Sequence, residues 1–204
     1  FYITISPFLV GFVLFTAGPF VVSFLLSFTR YDVVNPPRWL GLGNYISLLS
    51  DPLFWTSLRV TLEFAALGVP ISLIASLGLA MLLNQRLPFI GLLRTAFYLP
   101  NVISGVAVAM LWLWLLNPQF GLINFGLYRV FGVTGPQWLL SDTWVIPSFV
   151  LMSLWGAGGP MVIFLAGLQG VPTELYEAAA IDGANAWHRF ISVTLPMISP
   201  VILF

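Results

Sequence analysis

The sequence predicts an all-α membrane protein, a polytopic transmembrane helix bundle with about five spans, the last one cut short. Of its 204 residues, 59% are hydrophobic and 7% are Asp, Glu, Lys or Arg, against about 25% charged in an average soluble domain. The mean hydropathy is +1.00. A soluble fold could not bury this much apolar surface, and the apolar runs are too long and continuous for the alternating strands of a membrane barrel.

The composition also argues against several kinds of site. There are no cysteines and one histidine, so neither a disulfide nor a clustered metal site is predicted. The net charge is zero and the chain has no lysine, which argues against nucleic-acid binding. Without lysine there is also no phosphate loop of the Gly-Lys type. We therefore expect no metal and no bound cofactor in this chain.

The first half of the chain predicts two spans separated by a polar stretch. A run without charges at the N-terminus predicts span one at about 5–28. The polar stretch 30–57 has aromatic residues typical of a membrane interface, which predicts an anchoring role: Tyr31, Trp39, Tyr45 and Trp55. Asp51-Pro52 could begin a helix, and span two is expected at about 58–83.

A short link at 84–94 follows, with Arg86 and Arg94 and no acidic residue, which favours the cytosolic side. Span three is predicted at about 95–116, with Pro100 near its start. The chain begins without Met and stops inside an apolar segment, so we expect it to be incomplete at both ends.

The second half predicts an external stretch at 118–142 that contains an amphipathic surface helix over 122–131. Span four is expected at 143–168, where glycines 156, 158 and 159 precede Pro160. Such an interruption frees backbone groups, which a membrane tolerates only against protein or a wet cavity. Span five is expected to start near 194.

Between spans four and five lies a polar island that predicts a helix, a turn and a second helix. Pro172 blocks the preceding helix and Thr173 is a plausible N-cap. Glu174 and Glu177 suit the positive end of a helix dipole. Gly183 occupies the place of a left-handed C-terminal residue, and Asn185 can cap the second helix.

This island resembles the cytoplasmic EAA loop of the permease subunits of ABC-type (ATP-binding-cassette) importers. The matching strings are Glu177-Ala178-Ala179, Asp182-Gly183-Ala184, Phe190 and Leu195-Pro196. The spelling over 168–179 is similar to the sugar-uptake branch. Two further segments, 39–54 and 94–124, independently resemble sugar-importer permeases.

The resemblance implies one permease domain over 1–204, with a cytoplasmic coupling loop at 171–194 that docks into an ABC ATPase subunit. The coupling residues it implies are Glu174, Glu177, Ala178, Ala179, Asp182, Gly183, Leu195 and Pro196. The implied partners are ATPase subunits that bind ATP and Mg, a second permease subunit, an extracytoplasmic solute-binding protein and a sugar or polyol. The implied location is a bacterial or archaeal cell (inner) membrane, and this chain would not be an enzyme.

The alternative is a secondary transporter or channel without an ATPase partner. Ion coupling would require ionisable groups inside the membrane, and the predicted spans have almost none. An intramembrane enzyme would require a cluster of reactive groups, whereas His188 stands alone in the loop.

A further prediction concerns the solute path. Trp155 beside Gly156 and Gly158 could offer an aromatic platform and free carbonyl groups to a sugar. Span three could contribute Asn101 and Ser104. The competing interpretation is that Trp155 fills space and the glycines allow helices to cross closely.

Overall fold

The computed structural model describes residues 2–85 and 88–203, which are helical except for one short hairpin and the connecting loops. Arg86 of the predicted cytosolic link lies outside the described residues. The chain forms two compact units, the first ending at Arg59 and the second beginning at Val60. The described part holds three helices long and apolar enough to cross a membrane, and two bent helix pairs that could each form another span.

The first unit begins with a continuous apolar helix of 25 residues. It consists of α1 (Tyr2–Phe12), a π-helical segment (Val13–Ala17) and α2 (Gly18–Leu26). This agrees with the predicted first span. The 32-residue helix α4 (Pro52–Leu83) starts at the predicted Asp51-Pro52 pair, where Asp51 Oδ1 accepts the N–H of Leu53 at 2.8 Å.

A small antiparallel hairpin after α2 was not predicted from the sequence. Strand β1 (Thr29–Arg30) pairs with β2 (Arg38–Trp39), and the short helix α3 (Gly43–Leu49) follows. The side-chain amide of Asn44 donates to the carbonyl oxygens of Ser27 at 2.8 Å and Thr29 at 2.9 Å. These bonds fasten α3 to the chain that leaves α2.

Span three is not the single helix that we predicted over 95–116. Helix α5 (Ile90–Tyr98) passes into a 3₁₀ turn (Leu99–Val102), and α6 (Gly105–Leu115) then runs at 95° to this first half. Pro100 in the turn has no N–H to donate. Ile103 and Ser104 are then extended, with ψ of 139° and 134°, which ends the helix before α6 starts.

The stretch 118–142, which we predicted to be external, contains α7 (Leu122–Phe131), and this helix has the predicted bounds. Asn124 holds this stretch together: its amide donates to the carbonyl oxygens of Pro118 and Pro136, and its Oδ1 accepts from the indole of Trp138 at 2.6 Å. The predicted interruption of span four is also present, as a 51° bend between α8 (Val145–Leu154) and α9 (Gly158–Gln169).

The last part of the chain consists of α10 (Thr173–Ile181), α11 (Ala186–Arg189), a π-helical segment (Phe190–Thr194) and α12 (Leu195–Leu203). From Ala186 onward these segments form one apolar helix, which begins earlier than the start predicted near 194. The buried core of the second unit brings together the end of α4 with α9 and α12: Ala80, Leu83, Met161, Phe164, Leu165, Leu168, Val171 and Ile198.

Candidate functional site

The predicted coupling helix is α10. Its N-cap is one residue earlier in the chain than the predicted cap, Thr173. Pro172 occupies the N-cap position with φ −59° and ψ 133°, and Thr173 is the first helical residue. The side chain of Thr173 therefore does not cap the helix. The ring of Pro172 fixes φ near the value that the cap adopts. Glu174 lies in the first turn, as predicted, whereas Glu177, also expected there, lies beyond it.

The C-terminal end of α10 has the geometry that the sequence predicts. Gly183 is left-handed, with φ of +79°. Its N–H donates to the carbonyl oxygen of Ala180 at 3.1 Å, and the N–H of Ala184 donates to that of Ala179 at 2.9 Å. This pair of bonds is a Schellman motif, and it stops the helix sharply before the turn into α11.

Asn185 caps the second short helix, as predicted. Its Oδ1 accepts the backbone N–H of His188 at 2.9 Å, and the Nδ1 of the same histidine lies 3.0 Å from that oxygen. The only histidine of the chain is thus engaged by the cap, in agreement with its interpretation as a loop residue.

Most of the residues predicted to contact an ATPase are exposed. Ala179 is half-buried, and the following are exposed: Glu174, Glu177, Ala178, Asp182, Gly183, Leu195 and Pro196. Two large apolar side chains are also exposed here and were not predicted as site residues: Ile181 at 86% and Trp187 at 65% exposure. We call the exposed residues of 174–187 the coupling surface.

A contact that was not predicted fastens α10 to the π-helical segment before α12. The hydroxyl groups of Tyr176 and Thr194 lie 3.0 Å apart and share a hydrogen bond. Thr194 is buried at 6% exposure, and Tyr176 packs against the buried core. The residue spacing offers no signal for this bond, because it depends on the turn folding α10 back onto the π-helical segment.

The predicted solute-path residues lie where the two bent spans meet. A Cβ at Gly158 would collide with the backbone carbonyl of Phe97, so only glycine allows this approach of α9 to α5. With its amide oriented to satisfy both groups, Asn101 donates to the carbonyl oxygen of Gly156 at 3.2 Å and accepts the N–H of Gly159 at 3.1 Å. We call these contacts the helix-break site.

The backbone at this break is more closed than we predicted. The N–H groups of Trp155, Gly156 and Ala157 donate to carbonyl oxygens three residues earlier, at 3.1–3.2 Å. The carbonyl of Gly156 itself accepts from Gly159 at 3.1 Å. The glycines thus serve close packing and a tight turn, and the expected free carbonyl of Gly156 is occupied. Ser104 lies at the N-cap of α6 and is exposed, without a side-chain capping bond.

Trp155 remains a candidate for ligand contact on a different ground. Its ring packs edge to face against Trp112, with centroids 5.9 Å apart and an interplanar angle of 80°. The indole N–H groups of both residues are buried and have no hydrogen-bond acceptor among the described residues. A buried donor without an acceptor is unfavourable, so the partly exposed Trp155 can gain from a ligand oxygen, whereas Trp112 is only 7% exposed.

Comparisons with known proteins identify the chain. A family profile described as "Binding-protein-dependent transport system inner membrane component" matches residues 68–204. The chain is 40% identical to the probable ABC transporter permease protein YesP of Bacillus subtilis over 205 aligned positions, which cover 100% of this chain and 66% of YesP. It is 34% identical to the trehalose/maltose transport system permease protein MalF of Thermococcus litoralis, covering 99% of this chain and 69% of MalF.

The fold is also similar to that of a bacterial alginate ABC transporter, solved in complex with an alginate-bound periplasmic protein. The TM-score is 0.83 at 26% identity, over 98% of this chain and 67% of that one. The chain thus spans about two thirds of the length of these relatives. By the profile match and by these identities, the chain belongs to the family of binding-protein-dependent transport system inner membrane components, which are multi-pass membrane proteins.

Proposed function

We propose that this chain is part of the permease subunit of an ATP-driven importer for a sugar or a related polyol. In this proposal two ATPase subunits bind ATP and Mg on the cytosolic side, a second permease completes the pathway, and a solute-binding protein delivers the sugar. The chain performs no chemistry itself, and the membrane helices move the solute by alternating access.

The sugar assignment is supported by the names of several relatives. Besides MalF of Thermococcus litoralis, they include the lactose transport permease LacF of Rhizobium radiobacter, 37% identical over 171 residues. Another is the arabinooligosaccharide transport permease AraP of Bacillus subtilis, 31% identical over 205 residues. These names describe saccharides of different sizes, so they support a saccharide as the class of solute and do not single out one sugar.

The observation that carries the ATPase proposal is the shape of the coupling surface. Helix α10 exposes the small side chain of Ala178, which lets another protein approach the backbone closely, and the Schellman turn fixes where that surface ends. The Tyr176–Thr194 hydrogen bond ties the same helix to the membrane helix α12 through the π-helical segment. A displacement of α10 by a partner would therefore pull on a transmembrane helix.

The structure gives the alternative, an ion-coupled transporter, less support. Among the described residues, the buried polar side chains are Ser76, Asn124, Ser148 and Thr194, none of which is ionisable. Coupling to an ion requires charged or titratable groups inside the membrane. A separate source of energy therefore fits these spans better.

The test uses the absence of native cysteine. Ala178→Cys is introduced into the full-length permease, which is expressed together with the ATPase encoded beside it. The cysteine should crosslink to that ATPase, and in intact cells it should not react with a membrane-impermeant thiol reagent. Ser50→Cys, in the stretch 30–57 that we predict to be outside, is the control: it should label and should not crosslink. Labelling of position 178 from outside would overturn both the orientation and the ATPase contact.

A further inference from the structure

The hairpin after α2 places two arginines directly opposite each other. In the ladder, Thr29 pairs with Trp39 and Arg30 with Arg38. Residues paired in an antiparallel ladder project from the same face, and like charges in this arrangement repel. Within the described residues, neither guanidinium has an ion-pair partner. An uncompensated pair of this kind favours the binding of an anion.

The carboxylate that lines the same cleft is already hydrogen-bonded. Asp32 lines the same cleft, but its Oδ1 accepts the backbone N–H of Asn35 at 2.8 Å and its Oδ2 accepts the Asn35 side-chain amide at 2.8 Å. These bonds, the backbone one foremost, hold the pKa of Asp32 below its ordinary value, so the carboxylate stays ionised. With two arginines and one aspartate, the cleft has a net charge of +1. Its volume is about 450 Å³.

The rest of the hairpin has the features of a segment at the membrane interface. The strand β1 follows shortly after the apolar helix ends at Leu26. Val33 and Val34 at the hairpin tip are 80% and 88% exposed, and Trp39 is 74% exposed. Val33 also adopts φ of +70°, which is a strained conformation for a β-branched residue, and strain of this kind is common at functional sites. Exposed valines and a tryptophan beside arginines are typical of segments that contact lipid headgroups.

We propose that this hairpin binds the phosphate of an anionic phospholipid, held between Arg30 and Arg38. A guanidinium can present two N–H groups to one phosphate, so a pair of opposed arginines can surround it. The exposed valines favour a lipid over an acidic protein surface, because a lipid gives them an apolar environment while the arginines bind its headgroup. The site does not depend on which solute the transporter carries.

The experiment measures lipid binding to the full-length permease in its purified transporter. Native mass spectrometry would follow the retention of phosphatidylglycerol and phosphatidylcholine, added in turn. The double variant Arg30→Gln/Arg38→Gln should bind phosphatidylglycerol about 30-fold more weakly, since each arginine near a membrane surface contributes about a factor of five. Its binding of phosphatidylcholine should not change. Arg129→Gln, which removes an exposed arginine of α7, is the matched control and should behave like the parent.

Two further measurements test whether the site recognises a lipid, a free anion or a protein. Inorganic phosphate should not displace phosphatidylglycerol, because it cannot use the valines, and Val34→Asp should weaken retention of the lipid. If phosphate displaces the lipid at equal concentration, the site is a free-anion site and the proposal is wrong. The proposal is also overturned if the double variant retains the lipid and loses affinity for the solute-binding protein, since the arginines would then serve a protein partner.

Discussion

The coupling surface and the Trp112–Trp155 pair beside the helix-break site differ in how far their hydrogen-bonding groups are satisfied. Around α10 the turn is closed internally: Gly183, Ala184 and Asn185 all take part in hydrogen bonds that fix the chain path. In the tryptophan pair, the indole N–H groups of Trp112 and Trp155 are buried without acceptors among the described residues, although the polar groups of the adjacent helix-break site are hydrogen-bonded. A segment whose hydrogen bonds are all formed presents a fixed surface to a partner. A buried donor without an acceptor destabilises the protein by about 1–3 kcal/mol, and a hydrogen bond to a ligand can offset that cost.

The largest expected effect comes from the turn of the coupling loop. Gly183→Val places a β-branched residue at φ +79°, which costs about 1–2 kcal/mol or more and disturbs the turn within the coupling surface. Transport should fall at least tenfold while the permease still reaches the membrane. Transport of the corresponding sugar into vesicles, with immunoblotting of the membrane fraction, provides the measurement.

Gly132→Val is the matched control for this variant. Gly132 ends α7 with φ +68°, and, as at Gly183, a Cβ there would meet nothing within 4 Å. The backbone strain is therefore similar, but the residue lies in the predicted external stretch. If both variants lose transport equally, the effect comes from strain alone and the coupling surface has no special role.

A second prediction concerns the unused indole donors. Trp155→Phe keeps an aromatic ring and removes one unsatisfied N–H, so the melting temperature of the detergent-purified permease should stay the same or rise. If Trp155 contacts the solute, the apparent KM for the sugar should rise about tenfold, since one hydrogen bond of roughly 1.4 kcal/mol would be lost.

Trp112→Phe removes the other half of the same edge-to-face pair and separates contact from packing. Trp112 is only 7% exposed, so we expect the apparent KM to change less than twofold. Equal shifts in KM for the two variants would mean that the pair acts through packing, and would remove Trp155 from the proposed solute path.

A smaller effect is expected for the bond between α10 and the membrane helix. Tyr176→Phe and Thr194→Val each remove one hydroxyl group of a 3.0 Å pair. A double-mutant cycle on the unfolding free energy should give a coupling of about 1 kcal/mol. ATP hydrolysis by the transporter should respond less to the binding protein in each single variant. A coupling energy near zero would show that the two hydroxyl groups act independently.

The smallest effect distinguishes the two predicted helix caps. Asn185→Ala removes a capping bond of 2.9 Å and should destabilise α11 by about 1 kcal/mol. Thr173→Ala should change stability by less than about 0.5 kcal/mol, because its side chain does not cap α10. Hydrogen exchange of the backbone amides in residues 174–176 and 187–189 measures the stability of the start of α10 and of α11, respectively. Faster exchange at the start of α10 in Thr173→Ala would contradict the observed cap.

What the sequence could predict was largely local. Residue types fix the left-handed Gly183, the Asn185 cap and the bounds of α7, because each depends on backbone preferences within a few residues. The 95° bend in span three, the bridge made by Asn101 and the Tyr176–Thr194 bond depend on contacts between distant segments. No residue spacing within one helix indicates such contacts.

The functional assignments of the coupling and solute-path residues stay predictions for the same reason. The partners that these residues are predicted to contact, an ATPase and a sugar, would lie outside this chain. The structure contributes their exposure and geometry: the coupling surface is accessible, and the free carbonyl groups expected beside Gly156 are replaced by tight turns.

The π-helical segment Phe190–Thr194 sets the rotational phase of the helix that follows it. A π turn takes one residue more than an α turn, and each residue of an α-helix corresponds to about 100° of rotation. Removing one residue here, such as the exposed Ser192, would let the segment become regular α-helix at almost the same length. The shortened segment would turn through about the same angle, so Ile198 would stay in the core, where it is fully buried. A one-residue deletion within Phe190–Thr194 should accordingly be better tolerated than one within α12, which would rotate every later side chain by about 100°.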